Sequence, residues 1–304
     1  MPINLIIFII LLLSLFCAAV MMIQLRRQAR APLSRMDTCK LIGSGIVAFI
    51  SDTLGVGSFA VNIALAKLLG TFHDDELPAV NNGAQVIPGT IESLFFMQLI
   101  DVDLTTLVTL VLGTCLGGLL GGAIVSRLSQ QAIRLAMMGC FLLIIGLLLS
   151  HQFNWIPMDG DLIELRSWKL TIGFGAMVVC GALTSVGIGL FAMVQGVLFL
   201  LGASPLIAFP IMTTAGAMQQ PLTTLVFLQQ GKIPLKRTLI LSLGGCIGVL
   251  LTLPLFSHLT ISWLHSLLTV ILIYNFFAIS HSYLRARPAS SFNSEKDSLR
   301  VASS

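Results

Sequence analysis

Charge is scarce in this sequence. Asp, Glu, Lys and Arg make up 10% of its 304 residues, against about a quarter in soluble domains. A water-facing surface cannot be built from so few, which excludes a soluble globular protein. Period-2 alternation of apolar and polar residues is missing, which disfavours a transmembrane β-barrel. No HExxH, GxSxG or Walker A motif occurs, nor a GxGxxG followed by a soluble βαβ pattern. With no histidine pair inside an apolar segment either, an enzyme is not expected. No cofactor is implied, and ATP-driven work would need another chain. The six cysteines (Cys17, Cys39, Cys115, Cys140, Cys180, Cys246) include no CxxC pair and no Cys/His spacing of a metal site, so they read as small packing residues.

What is present is apolar: 56% of residues are hydrophobic and mean hydropathy is +0.96. Several stretches approach the ~20 residues a helix needs to cross a bilayer. The fold class is therefore all-α, a polytopic transmembrane helical bundle whose first partner is the lipid bilayer. The first stretch, Ile3 to Leu25, is followed by Arg26, Arg27, Arg30 and Arg35, with no basic residue before it. A cleaved signal peptide has the reverse charge order, so this segment is expected to be a retained span. Net charge is +4, and the basic residues sit beside span ends, a pattern of membrane topology and not of nucleic-acid binding.

The chain repeats itself. GVGSFA at Gly55 to Ala60 returns as GIGLFA at Gly187 to Ala192, an offset of 132 (187 − 55). Leu69-Gly70 and Leu201-Gly202 keep it, Gly83-Ala84 and Pro88 match Gly216-Ala217 and Pro221, and LGTCLG at Leu112 matches LGGCIG at Leu243. The expected organisation is an extra N-terminal span with its basic cytoplasmic loop (1–38), repeat one (39–150), an external connector (151–169), repeat two (170–283) and a disordered cytoplasmic tail (284–304). Arg26 to Lys40, Arg127 with Arg134, Lys232 with Lys236 and Arg237, and Arg285 with Arg287 should face the cytoplasm. The segments around Asp101 and Asp103, His151 to Glu164, and His258 then face out. Repeat one begins inside and repeat two outside, so the repeats are predicted to be inverted, with the N-terminus outside and the C-terminus cytoplasmic. Inverted repeats characterise secondary transporters, whose sites lie near the midplane where broken helices meet.

Each repeat opens with about thirty apolar residues, Leu41 to Gly70 and Leu170 to Gly202. As one helix that length is roughly 45 Å, too long for a ~30 Å hydrocarbon core. Two short helices meeting at Gly55 and Gly57, and at Gly187 and Gly189, resolve the excess as a discontinuous or re-entrant segment. Such a break frees N–H groups that can hold an anion. The competing reading is that the glycines only permit close helix packing.

GIVAFISDTLGVG, GALTSVGIG and LGTCLGGLLGGAIVSRLS, taken together, resemble the TauE/SafE family of sulfite and organosulfur-anion permeases, over both repeats. The sequence departs from that pattern at Asn62 and Gln195, where a proline is common, and at Asn81-Asn82, where a Gly-Thr-Ser-like turn is common. The resemblance implies a bacterial inner-membrane secondary transporter, by the family's usual direction an exporter, of a small sulfur-containing anion such as sulfite or an organosulfonate. A channel or non-transporting membrane partner on the same scaffold is the alternative, and a homo-oligomer is compatible with either.

The candidate substrate-binding residues are Gly55, Gly57, Ser58, Asn81, Asn82 and Gln85 in repeat one, and Gly187, Gly189, Thr213, Thr214, Gln219 and Gln220 in repeat two. Their hydroxyls and amides can donate to sulfite or sulfonate oxygens without a permanent charge; the alternative is interhelical bonding. Asp52 and Glu92 are candidate proton carriers, because a carboxyl inside a span costs roughly 2.5–3.5 kcal/mol at insertion and needs a partner or water. Asp52 could instead cap a helix at the break. Lys67 is expected to snorkel to an interface. The contiguous run His73, Asp74, Asp75 and Glu76 reads as a solvated loop and not a metal site.

Overall fold

The computed structural model describes residues 2–27, 33–152 and 162–254, with six isolated positions between 273 and 284. The centre of the expected connector (153–161), His258, the basic pair Arg285 and Arg287, and the tail from 285 onward lie outside the described residues. Ten helices run through the described part: α1 (Pro2–Arg27), α2 (Arg35–Thr53), α3 (Ser58–Leu69), α4 (Leu77–Leu99), α5 (Leu104–Val125), α6 (Gln130–Gln152), α7 (Ser167–Thr184), α8 (Leu190–Leu200), α9 (Pro205–Gln229) and α10 (Leu235–Thr252). No strand occurs among the described residues; Leu162 and Ala203 form one isolated parallel bridge. Among the described residues four helices, α1, α5, α7 and α10, are long and apolar enough to cross a membrane.

Helix ends follow local chemistry. Ser34 caps α2, accepting from the Asp37 N–H at 3.0 Å, and Asp103 caps α5, accepting from the Thr106 N–H at 2.8 Å. That N–H and the Thr106 hydroxyl hold the Asp103 carboxyl below its ordinary value. Glycine closes α3 and α8 in the same way. Gly70 (φ 63°) and Gly202 (φ 78°) take the left-handed conformation, and the next N–H, of Thr71 and of Ala203, returns to the carbonyl five residues back.

The helices pack in pairs that exchange under the sequence offset. α2 lies along α10 and α5 along α7; α4 crosses α9, α9 also meets α5, and α4 meets α10. Replacing each helix by its counterpart 131–133 residues away turns the α2–α10 pair into the α7–α5 pair, and α5–α9 into α10–α4. Glycine makes both long seams possible. A Cβ added to Gly117 would lie 1.9 Å from the Val178 carbonyl oxygen, and one on Gly45 would lie 2.2 Å from that of Leu241. Only bare backbones can approach so closely, which is how membrane helices gain contact without a hydrophobic drive.

The outward faces repeat as well. Leu112, Leu116, Leu119 and Leu120 of α5 are exposed, and so are their counterparts Leu243, Ile247, Leu250 and Leu251 of α10. Each such side chain left in water forgoes about 1.5–3 kcal/mol, so these stripes belong in hydrocarbon. α1 is part of the packing: it lies against α9 and α4, and its Ser14 hydroxyl donates to the Val86 carbonyl at 3.0 Å.

Two expectations are corrected. Asp74 is not in a solvated run; it is buried, pairing with Lys67 Nζ at the end of α3 and with Arg134 Nε of α6 at 2.6 Å. Lys67 accordingly turns to a carboxylate instead of snorkelling. A carboxylate shared by two cations offsets desolvation that no single charge here could bear.

Candidate functional site

The turns after α2 and α7 have the same geometry. The Gly55 N–H donates to the Asp52 carbonyl at 2.8 Å, and the Gly187 N–H to the Thr184 carbonyl at 2.9 Å. Gly55 (φ 87°) and Gly187 (φ 103°) both adopt a backbone that disfavours L side chains. Gly57 is also in that region (φ 93°), whereas its counterpart Gly189 is not. The chain then restarts as α3 and α8, and the two restarts face each other. A Cβ on Gly57 would lie 3.8 Å from Phe191 Cβ, and one on Gly189 would lie 3.6 Å from Phe59 Cβ. Phe59 and Phe191 are themselves counterparts, 132 residues apart (191 − 59).

Buried polar side chains surround this junction. Asp52 spans the first break: one carboxylate oxygen accepts from the Ser58 N–H at the start of α3, and the other from Gln85 Nε2 of α4. The Ser58 hydroxyl donates to Gln85 Oε1 at 2.7 Å, closing the triangle. Glu92 of α4 is within electrostatic reach of Asp52 and accepts from the Thr53 hydroxyl at 2.7 Å. Its second oxygen has no hydrogen-bond partner among the described residues. At the second break Asn81 comes in from α4, its Oδ1 accepting from Asn62 Nδ2, while Asn82 Nδ2 donates to the Thr184 carbonyl at 3.2 Å.

Of the residues singled out from sequence, Gly55, Gly57, Ser58, Gln85, Asp52, Glu92, Asn81, Gly187 and Gly189 thus gather around the paired breaks. Gln220 joins them at one remove, since a Cβ on Gly89 would lie 3.3 Å from Gln85 Nε2 and 3.5 Å from Gln220 Oε1. Thr213 hydrogen-bonds its own helix at Phe209, one turn earlier, and the Phe209 ring abuts Gly55. Two point elsewhere: Gln219 donates to Thr223 at 2.6 Å and packs over Gly118, and Thr214 meets Ser93 at 3.2 Å, whereas Asn82 ties α4 to the end of α7 beside the Gly187 turn. Thr53, Phe59 and Phe191 were not singled out, although the repeated GxGxFA string carries the two aromatics.

A polar cavity of about 240 Å³ lies beside the second break, lined in part by Asp75, Pro78, Ser126, Ser129 and Lys232. Pro78 forms part of that lining, and its Cα is 3.4 Å from where a Gly187 Cβ would stand.

An all-helical bundle with lipid-facing apolar stripes around a buried polar junction is a multi-pass membrane protein. Residues 2–149 match the family model described as Sulfite exporter TauE/SafE. No curated protein and no solved structure matches the chain.

Proposed function

We propose that the chain is a secondary transporter, working as an exporter, of a small sulfur-containing oxyanion such as sulfite or an organosulfonate. One observation supports the reading: the turns at Gly55 and Gly187 bring the starts of α3 and α8 face to face within a buried polar cluster. Helix restarts present N–H groups and a partial positive charge, while the Asn81 amide supplies a buried donor without a full charge, so an anion is held and can still leave.

The halves are taken as inverted repeats, α2 to α5 and α7 to α10, rocking about the breaks so that access alternates. The exchange of pairings under the sequence offset supports this, as does the recurrence of the first half's turns in the second, beyond the stretch matched by the family model. Proton coupling is assigned to Asp52 and Glu92. Two buried carboxyls side by side cannot both be charged cheaply, so a proton is held between them and can be exchanged when access switches. The N-terminus is placed outside and the C-terminus in the cytoplasm of a bacterial inner membrane, by the basic flanks Arg26 to Lys40 and Arg285 with Arg287.

The test is counterflow in proteoliposomes containing the full chain, with sulfite, thiosulfate, small sulfonates and unrelated carboxylates as the panel. Saturable exchange of at least one sulfur oxyanion, and of no carboxylate, is the expected result. Exchange no faster than in empty liposomes for every sulfur anion refutes the reading.

A further inference from the structure

The two breaks share a turn but not an occupant. At the start of α3 the chain supplies its own anion: Asp52 accepts from the Ser58 N–H and from Gln85. The residue at the same place in repeat two is Thr184 (52 + 132). Its hydroxyl is spent on the Cys180 carbonyl at 2.8 Å, so it brings no negative charge to the start of α8. What faces that break instead is an amide donor. Asn81 is 2% exposed, its Nδ2 has no hydrogen-bond partner among the described residues, and a Cβ on Gly187 would stand 3.8 Å from that nitrogen. Asn62 holds the other end of the amide by donating to Asn81 Oδ1, which keeps the nitrogen turned to the break.

A buried donor without an acceptor is costly, and a helix start without an anion leaves its partial positive charge unanswered. At the first break the chain itself answers both demands; at the second, Asn81 Nδ2 has no partner among the described residues and Thr184 brings no carboxylate to the start of α8. We infer that the transported oxyanion binds at the second break, between Asn81 Nδ2 and the start of α8, while Asp52 occupies the equivalent place at the first. The duplicated scaffold then carries one anion site, not two. Pro78, whose Cα stands 3.4 Å from the place of a Gly187 Cβ, also lines the cavity that carries Asp75, Ser126, Ser129 and Lys232. The inference rests on the transport reading and specifies which half holds the substrate.

A carboxylate placed at the second break tests it. Purified full-length protein is titrated with radiolabelled sulfite, comparing Thr184→Asp with Thr184→Asn, which differ in charge and hardly in size. The carboxylate should act at α8 as Asp52 acts at α3, so the Asp variant should bind sulfite at least about tenfold more weakly than the Asn variant. Asn81→Leu should weaken binding about tenfold or more. A monodisperse elution profile for each variant separates loss of the site from loss of the fold, and the Asn variant controls for disturbance of the α7 end. Equal binding by the two Thr184 variants, or binding by Asn81→Leu as tight as wild type, overturns the assignment. If wild-type protein binds neither sulfite nor a sulfonate, the transport reading fails, and this inference with it.

Discussion

The glycine seams allow a prediction with a number attached. In the α5–α7 seam a Cβ on Gly117 would stand 1.9 Å from the Val178 carbonyl oxygen, whereas ordinary contact begins at 3.4 Å. The backbones would have to part locally by 1.5 Å (3.4 − 1.9). In the α2–α10 seam the corresponding gap at Gly45 against Leu241 is 1.2 Å (3.4 − 2.2). The obstacle is backbone in both cases and cannot swing aside, so Gly117→Ala and Gly45→Ala should each cost about 3 kcal/mol of packing, at the upper end for overfilled interiors. Alanine's better helix propensity returns up to ~1 kcal/mol, leaving a net loss of about 2 kcal/mol. Gly43 and its counterpart Gly175 have nothing within 4 Å of an added Cβ, so their alanine variants receive only the propensity gain. Thermal melting of the detergent-solubilised protein should therefore separate the two classes by roughly 5–10 °C. If the seam variants melt together with Gly43→Ala and Gly175→Ala, close backbone packing is not what joins these helices.

Three further outcomes follow from particular contacts. Asp52→Asn or Glu92→Gln should abolish sulfite accumulation driven by a pH gradient while leaving sulfite exchange, which moves no net proton; gradient-driven accumulation intact in both variants makes the carboxyls structural. Asp74→Ala removes the carboxylate that Lys67 and Arg134 share and should cost about 3 kcal/mol, the low end for broken buried pairs because both cations retain some water; a melt unchanged from wild type excludes Asp74 as a brace. Asp103 has a depressed carboxyl, so its ionised cap contributes stability above the ordinary carboxylate value of ~3.9 and loses it as pH falls below that. The melting advantage of wild type over Asp103→Asn, measured from pH 7 downward, should shrink in that acid range and not on the alkaline side.

Local rules made some features readable in advance. Scarce charge and long apolar runs specify the bilayer as solvent, because no other surroundings suit the leucines of α5 and α10. The turns at Gly55 and Gly187, and the closures at Gly70 and Gly202, are contained within a few residues of each glycine, and only glycine reaches those dihedral angles cheaply. A string such as GxGxFA therefore announces them wherever it recurs. Partners were a different matter. That α2 runs along α10 and α5 along α7, that Gln219 turns to Gly118 and away from the breaks, and that Arg134 reaches Asp74 depends on groups tens to about two hundred residues apart. Hydrophobic periodicity says little about such pairs, since almost every face of these helices is apolar. The difference between the breaks lies at the same level: Asp52 opposite Thr184 is legible as a substitution within the repeat, but only the folded chain puts that carboxylate on the Ser58 N–H and leaves the Asn81 amide facing Gly187 without an acceptor. Sequence sets backbone dihedral angles through neighbours a few bonds away, whereas the pairing of buried polar groups is settled by which helices meet.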